Sequence, residues 1–326
     1  MNRPADDEAS RMKNAIAFLA AAALTAACAQ KIDPNEVRSA LPQASAVQIG
    51  TPQGTGGSAL TVAEVGTASE YAAASYWTAL TFNGATWWIL TVVHVITLFP
   101  PTSCTDTSCT WGPWLDQAKG ATYRLDVSKS GDGYDYVLAG HGDGSADFLP
   151  LVSGKAFPGS APSRGNGDFT VNFENGRTID PTSNDHGTLD VSYDNRASLQ
   201  IGAVFLGARN DDPSNPGSQY IDIAYQFGAA ATGGELQVAF QTTDHVKNLS
   251  LRTRWADGGQ GRGDAQYTES TQQYEGSQCW PGVTAGGGAW QTVYERMQSG
   301  LDVVETGDIA GCGAFSDPVY STLVLP

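Results

Sequence analysis

Through most of the chain apolar residues recur at every second position, the spacing that sends alternate side chains to opposite faces of a β-strand. Tyr123, Leu125 and Val127 alternate with Arg124, Asp126 and Ser128, and the alternation resumes at Tyr134, Tyr136 and Leu138 after Ser130-Gly131-Asp132-Gly133. Glycines there supply the positive φ of a tight hairpin. Phe169, Val171 and Phe173 before Asn175-Gly176 repeat the pattern, as do Leu189, Val191 and Tyr193 before Asp194-Asn195. Ile221, Ile223, Tyr225 and Phe227 precede Gly233-Gly234; Leu236, Val238 and Phe240, then Leu249, Leu251 and Trp255, follow. Successive alternating strands with short turns predict a mainly β protein, an antiparallel meander with one buried face. Such a sheet forms a barrel or half-barrel; a β-sandwich is the alternative, because short alternating strands do not specify closure.

One segment departs from period two. Thr86 to Phe99 is, after its first residue, apolar except for Thr91, His94 and Thr97. A spacing of three puts these on one stripe of a helix, although the β-branched content argues for a strand. Pro100-Pro101 ends the segment. Read as a helix, it is apolar around most of its circumference and has to be buried, packed on the concave side of the sheet.

The N-terminus carries an address. From Lys13 the chain has a basic start, a short apolar run and small residues to Ala27, the layout of a secretory signal over residues 1–27. Met12 is an alternative start. The run ends Leu24-Thr25-Ala26-Ala27-Cys28, which resembles the lipobox of bacterial lipoproteins with the leucine one position further upstream. The resemblance implies cleavage before Cys28 and lipid on its thiol; Ala29 at the next position implies the outer membrane. Residues 28–57, rich in Ala, Pro, Gln, Ser and Gly, read as a lipidated cysteine and flexible tether, and 58–326 as a single β-rich domain.

Cysteine usage agrees with export. Setting Cys28 aside leaves Cys104, Cys109, Cys279 and Cys312, an even set suited to disulfides in an oxidising compartment. Of the three connectivities, Cys104–Cys109 with Cys279–Cys312 is favoured: one closes a tight polar loop, the other ties the C-terminal region together. No Cys-x-x-Cys or paired histidine offers metal-ligand spacing, so neither metal nor cofactor is expected. A net charge of −16 disfavours nucleic acid and gives no basic patch for anionic headgroups, so membrane attachment rests on the lipid.

Several motifs together resemble a known group: Trp87-Trp88 through His94, Pro100-Pro101-Thr102-Ser103, Thr110-Trp111-Gly112-Pro113-Trp114 and Tyr123-Arg124-Leu125-Asp126-Val127. Gly261-Arg262-Gly263-Asp264-Ala265, Cys279-Trp280 and a Val293-Tyr294 strand continue it. The chain resembles predicted lipoproteins of myxobacteria and related bacteria. The resemblance covers most of the folded region and implies a fold and an address, without an established activity.

Candidate chemistry is sparse. His94 is the most interesting titratable residue, though a helix histidine hydrogen-bonded at the domain edge is the plainer reading. His141, His186 and His245 adjoin Gly or Asp in what read as exposed turns. Neither a Gly-x-Ser-x-Gly elbow nor a His-Glu-x-x-His motif occurs. Asp132-Gly133, Asp143-Gly144 and Asn210-Asp211-Asp212 read as turns rather than calcium loops. Arg262-Gly263-Asp264 spells an adhesion tripeptide but reads as a strand entry. The expectation is a non-enzymatic, lipid-anchored envelope protein that binds or carries an apolar small molecule or lipid, with Trp87, Trp88 and His94 lining the site. A structural or adhesive surface lipoprotein and an envelope-polymer hydrolase are the alternatives.

Overall fold

The computed structural model describes residues 32–44, 47–51, 68–161, 164–211, 219–282 and 290–326, with the side chains of Ala85, Trp88 and Ile89 outside that description. Cys28 also lies outside it. The strands begin with β1 (Ser103–Cys104), β2 (Ser108–Asp116), β3 (Ala121–Ser130), β4 (Gly133–Gly142), β5 (Leu149–Phe157) and β6 (Asn166–Asn172). They continue with β7 (Asp185–Asp194), β8 (Gln200–Asn210), β9 (Ile221–Ala230), β10 (Gly233–Thr242) and β11 (Lys247–Ala256). The last are β12 (Gly261–Glu269), β13 (Gln272–Trp280), β14 (Tyr294–Ser299) and β15 (Asp302–Gly307). All 15 lie in one sheet in chain order, each antiparallel to the next. The protein is therefore mainly β, an antiparallel meander that curls without closing. Two of the predicted hairpins stand where the alternation placed them, β3 with β4 in the register Leu125–Leu138 and β9 with β10 in the register Tyr225–Val238; the turn expected at Asn175-Gly176 is corrected to a helix, Phe173–Ile179.

The concave face carries the apolar member of each alternation. Leu125, Val127, Tyr136, Leu138, Phe169, Val171, Leu189, Ile201, Leu236 and Leu251 are buried there. Burying a side chain of this kind contributes about 1.5–3 kcal/mol, so the face as a whole fixes register: a slip of one residue would turn every one of them outward. Aromatic rings on this face lie across from glycines. Tyr123 pairs with Gly140, Tyr136 with Gly154, Tyr193 with Gly167 and Trp255 with Gly234. A Cβ on Gly154 would stand 2.8 Å from the Tyr136 hydroxyl, and one on Gly167 2.8 Å from that of Tyr193. The missing side chain is what lets each ring lie over the neighbouring strand of a tightly curled sheet.

The segment of spacing three is helical, but it is twice as long as its polar stripe suggested: α2 spans Glu70–Leu98, preceded by α1 at Pro34–Ala40 and followed by α3 at Phe173–Ile179. Ser69 caps α2 by accepting from the Ala72 N–H, and at 1.5 Å per residue the helix is ~43 Å long. It crosses the concave face. Near its start Ser75 hydrogen-bonds Thr253 on β11, at its middle Phe82 meets Tyr225 of β9 with ring centroids 4.5 Å apart, and at its end the Trp111 Nε1–H of β2 donates to Phe99 O at 3.0 Å. One side is buried through Ala72, Ala79, Phe82, Leu90 and Val93, while Trp77, Leu80, Trp87, Val95 and Leu98 are exposed on the other. Complete burial of this segment, the sequence expectation, is thus corrected to burial of one side. Among the described residues no helix is long and apolar enough to cross a membrane.

Part of the expected tether belongs to the folded unit. Asp33 caps α1 with Pro34 in its first turn, and Val37, Ala40, Leu41, Val47 and Ile49 are core residues. Arg38 Nε donates to Thr97 O at 2.8 Å, taking up a carbonyl at the C-terminal end of α2. Asn83 exchanges two hydrogen bonds with the Ile49 backbone, at 2.7 and 3.0 Å. The flexible tether assigned to 28–57 is therefore corrected: described residues 33–44 and 47–50 are structured against α2. Residues 52–57 lie outside the described set. Both favoured disulfides are present, Cys104–Cys109 and Cys279–Cys312.

Candidate functional site

At the C-terminal end of α2 the helix, α3 and the concave face of β2–β5 leave an apolar trough of two adjoining chambers. The larger holds about 520 Å³ and is walled by Val92, Tyr123, Leu138, Leu151, Phe173, Gly176 and Ile179. The smaller holds about 390 Å³ between Val92, Val95, Ile96, Phe99, Trp114, Leu115 and Tyr123. Val92, Asp116 and Tyr123 belong to both, which makes the chambers contiguous. A mostly apolar hollow with a few polar groups at its edge is the usual form of a small-molecule site.

Two local devices shape the trough. The pairing of β2 with β3 shifts register between Trp111 and Trp114, so that Trp111 opposes Leu125 and Trp114 opposes Tyr123. Leu125 and Tyr123 share a face, so the extra residue keeps both tryptophans on the concave side, where regular alternation would have parted them. The second device is α3. Its residues Phe173, Gly176, Ile179 and the adjoining Asp180 line the trough, as the i, i+3 spacing of a helix allows, while Glu174 and Arg177 fall on another side.

That other side meets His186. A register shift between His186 and Thr188, at Gly187 with φ +99°, turns the histidine toward α3. Its Nδ1 lies 2.9 Å from Glu174 Oε1 and its Nε2 2.6 Å from Asp211 Oδ2. Arg209 pairs with Asp211 at 2.6 Å and stacks over Tyr220, whose ring edges onto the imidazole. Burial pushes the Glu174 carboxyl up, but hydrogen bonds from His186 and the Gly187 N–H, with Arg177 nearby, hold it below its ordinary value. The His186 hydrogen bond, helped by Arg209, does the same for Asp211. His186 is buried. The exposed turn expected for it is corrected: the bulge at Gly187 folds it into a polar brace that holds α3 against the sheet.

The rim of the larger chamber is polar and acidic. Lys119 in the β2–β3 turn pairs with Asp180 at 3.0 Å, and Asp116, Thr182, Ser183 and Asp185 complete it. Burial raises the Asp180 carboxyl, but the Thr182 hydroxyl and the Lys119 ammonium outweigh it and leave it below the usual range. No group of three or more His, Cys, Asp or Glu able to hold a metal occurs among the described residues.

The expected lining residues do not meet here. Trp87 is 54% exposed, His94 is half-buried on α2, and neither belongs to the walls of these two chambers. The Trp88 side chain lies outside the description. The walls come instead from Val92, Val95, Ile96 and Phe99, which share their helix with the three residues singled out. The other three histidines divide: His245 is exposed in a turn, whereas His141 lies on β4, with Nδ1 2.9 Å from Gly142 O.

A larger hollow of about 690 Å³ lies on the convex face over β6–β9, bordered by Leu323 and Val324 of the chain's own tail. Its floor carries Asp168, Asp190 and Ser192, with Thr170 donating to Asp190 at 2.5 Å, and Val204, Ala224, Leu323 and Val324 supply its apolar lining. The Arg262-Gly263-Asp264 tripeptide lies further along that face. Arg262 and Asp264 are buried and paired at 2.7 Å, and Gly263 on the opposite side lies against Tyr71 of α2. Asp264 accepts from the Val319 N–H at 3.0 Å and Arg262 donates to Ser316 O at 2.6 Å, which straps the C-terminal tail onto the sheet.

Comparison with protein-family models, curated proteins and solved structures finds no match for this chain.

Proposed function

We propose that this protein is a lipid-anchored lipoprotein of the cell envelope that binds an apolar molecule in the trough between α2, α3 and β2–β5, with no catalytic step. The observation that carries the reading is the pair of contiguous chambers walled by Val92, Phe99, Trp114, Leu138, Leu151 and Phe173. Water over those apolar walls, away from the polar rim, finds few polar partners, and an apolar ligand that displaces it gains the free energy of buried area. The N-terminal pattern ending in Cys28 supports an anchor at the membrane, and Ala29 after it supports the outer membrane. Structured residues begin soon after that cysteine and α1 is hydrogen-bonded to the end of α2. A lipid on Cys28 would therefore anchor the folded domain through α1.

Native mass spectrometry of the mature chain after gentle extraction tests the binding. A bound apolar species, or uptake of added Nile red with a blue-shifted emission, is expected. A chain that is always empty and leaves the dye in water ends the reading. Metabolic labelling with a radiolabelled fatty acid tests the anchor, with label lost in Cys28→Ser. The Arg262-Gly263-Asp264 tripeptide offers no adhesive surface, since Arg262 and Asp264 are buried.

A further inference from the structure

The rim of the trough points to the polar end of its ligand. The two chambers are lined by three carboxylates, Asp116, Asp180 and Asp185, against a single cation, Lys119. Lys119 is already engaged by Asp180 at 3.0 Å. Asp116 accepts from the Ala118 N–H and Asp185 from the Asn210 side chain, bonds that hold these carboxylates in place without cancelling their charge. No histidine or arginine lines either chamber, and Arg177 lies on the other side of α3, paired with Glu174. An apolar tail in the larger chamber thus brings its head group to a rim with two uncompensated negative charges.

We infer that the trough selects its ligand by head-group charge, taking apolar chains that end in an ammonium or a neutral hydroxyl and rejecting those that end in a carboxylate or phosphate. The inference rests on the proposed apolar ligand and adds its class, an amphiphile with a cationic or neutral polar end. Near a protein surface each charge–charge contact of this range is worth several-fold in affinity. Reversing the head from +1 to −1 changes the sign of both contacts, and a difference of about tenfold or more follows.

The test is displacement of Nile red from the purified mature protein by dodecylammonium, dodecanol and dodecanoate, each below its micelle concentration. Half-displacement is expected at a concentration about tenfold lower for dodecylammonium than for dodecanoate, with dodecanol between and the gap narrowing in high salt. Asp116→Asn with Asp185→Asn is expected to close most of that gap. Asp168→Asn with Asp190→Asn, an equal change of charge on the convex face, is expected to leave it. Displacement by dodecanoate as strong as by dodecylammonium overturns head-group selection while apolar binding stands. Equal narrowing in the convex-face variant overturns it too, because the preference then belongs to the net charge of the chain. Failure of all three to displace the dye removes the apolar ligand and the selection together.

Discussion

Filling the trough from its own wall separates ligand binding from folding. Gly176 lies on α3 and lines the larger chamber, and a Cβ placed there would come 3.2 Å from Leu151 Cδ1, the free end of a flexible side chain. In Gly176→Phe the ring enters the hollow. Glycine in a helix interior costs about 0.5–1 kcal/mol relative to alanine, and phenylalanine recovers part of that. A ring moved from water into an apolar hollow gains roughly 1.5–3 kcal/mol, less about 0.5–1 kcal/mol for its lost rotamer freedom. The variant is therefore expected to be as stable as the parent or more stable by about 1–2 kcal/mol, a rise of a few degrees in Tm. A cavity of about 150 Å³ accommodates a benzene ring, so the substituent takes a little under a third of the 520 Å³ chamber, at the wall where Phe173 and Ile179 also line it. Nile red affinity is expected to fall at least tenfold. Dye titration beside a thermal melt checks both halves. A folded variant with parental dye affinity would refute the trough as the site, and a loss of stability above about 2 kcal/mol would refute the free space.

Gly154→Ala is expected to do the opposite, because its Cβ would stand 2.8 Å from both Phe169 Cβ and the Tyr136 hydroxyl and closer still to a backbone carbonyl. Overpacking of that kind costs about 1–3 kcal/mol, read as a lower urea midpoint with an unchanged slope. Asp264→Ala leaves the Arg262 guanidinium buried and unpaired and is expected to cost about 3–5 kcal/mol. It also removes the Val319 tie to the tail, so limited proteolysis within residues 316–326 should be faster than in the parent before the core unfolds. In the chain-entropy account, opening Cys279–Cys312, with a separation of 33, costs about 3–4 kcal/mol against about 2 for Cys104–Cys109, with a separation of 5. The paired Cys→Ala variants should melt in that order. Glu174 and Asp211 are held below their ordinary values, so their contribution is present above the unfolded carboxylate range and lost as pH falls through the lowered native values. Hydrogen exchange of the α3 amides is expected to accelerate below about pH 4, and His186→Gln should flatten that acid limb; an unchanged limb would show that the brace does not hold the helix.

The sheet is legible in the sequence because it has one greasy face and one wet one. Tyr136 and Leu138 point to the concave core while Asp135 and Val137 point outward, and that division is what period two records. The same logic explains what was hidden. The stretch Tyr71-Ala72-Ala73-Ala74-Ser75 has no polar stripe, because α2 meets the sheet on one side and exposes Trp77, Leu80 and Trp87 on the other. With both sides apolar, no periodicity marks its first half. Helix α1 did carry a signal, Asp33 as a cap before Pro34, inside a stretch whose composition reads as linker. At α3 the Asn175-Gly176 pair, which fits a hairpin turn, lies inside a helix capped by Asn172. The trough was illegible for a different reason. Its walls come from α2, α3 and four strands, brought together by a bulge that no local pattern announces.

The glycines connect these two kinds of information. A sheet of regular pleat with a full side chain at every concave position would stand off from α2 and lie flatter, leaving the helix no seat. Gly140, Gly154, Gly167 and Gly234 each sit across from a ring, while Gly263 and Gly276 of β12 and β13 lie where Tyr71 rests, so close that a Cβ on either would overlap it. The first four let the sheet curl; the last two let the start of the helix sink onto it. With the N-terminal end of α2 lowered onto β12 and β13 and its far end tied by Arg38 and Trp111, a straight rod spans a curved surface as a chord. A chord touches its arc closely only where the seat has been cut for it. Beside Val92, where α3 rather than bare strand closes the space, the gap remains, and that gap is the trough.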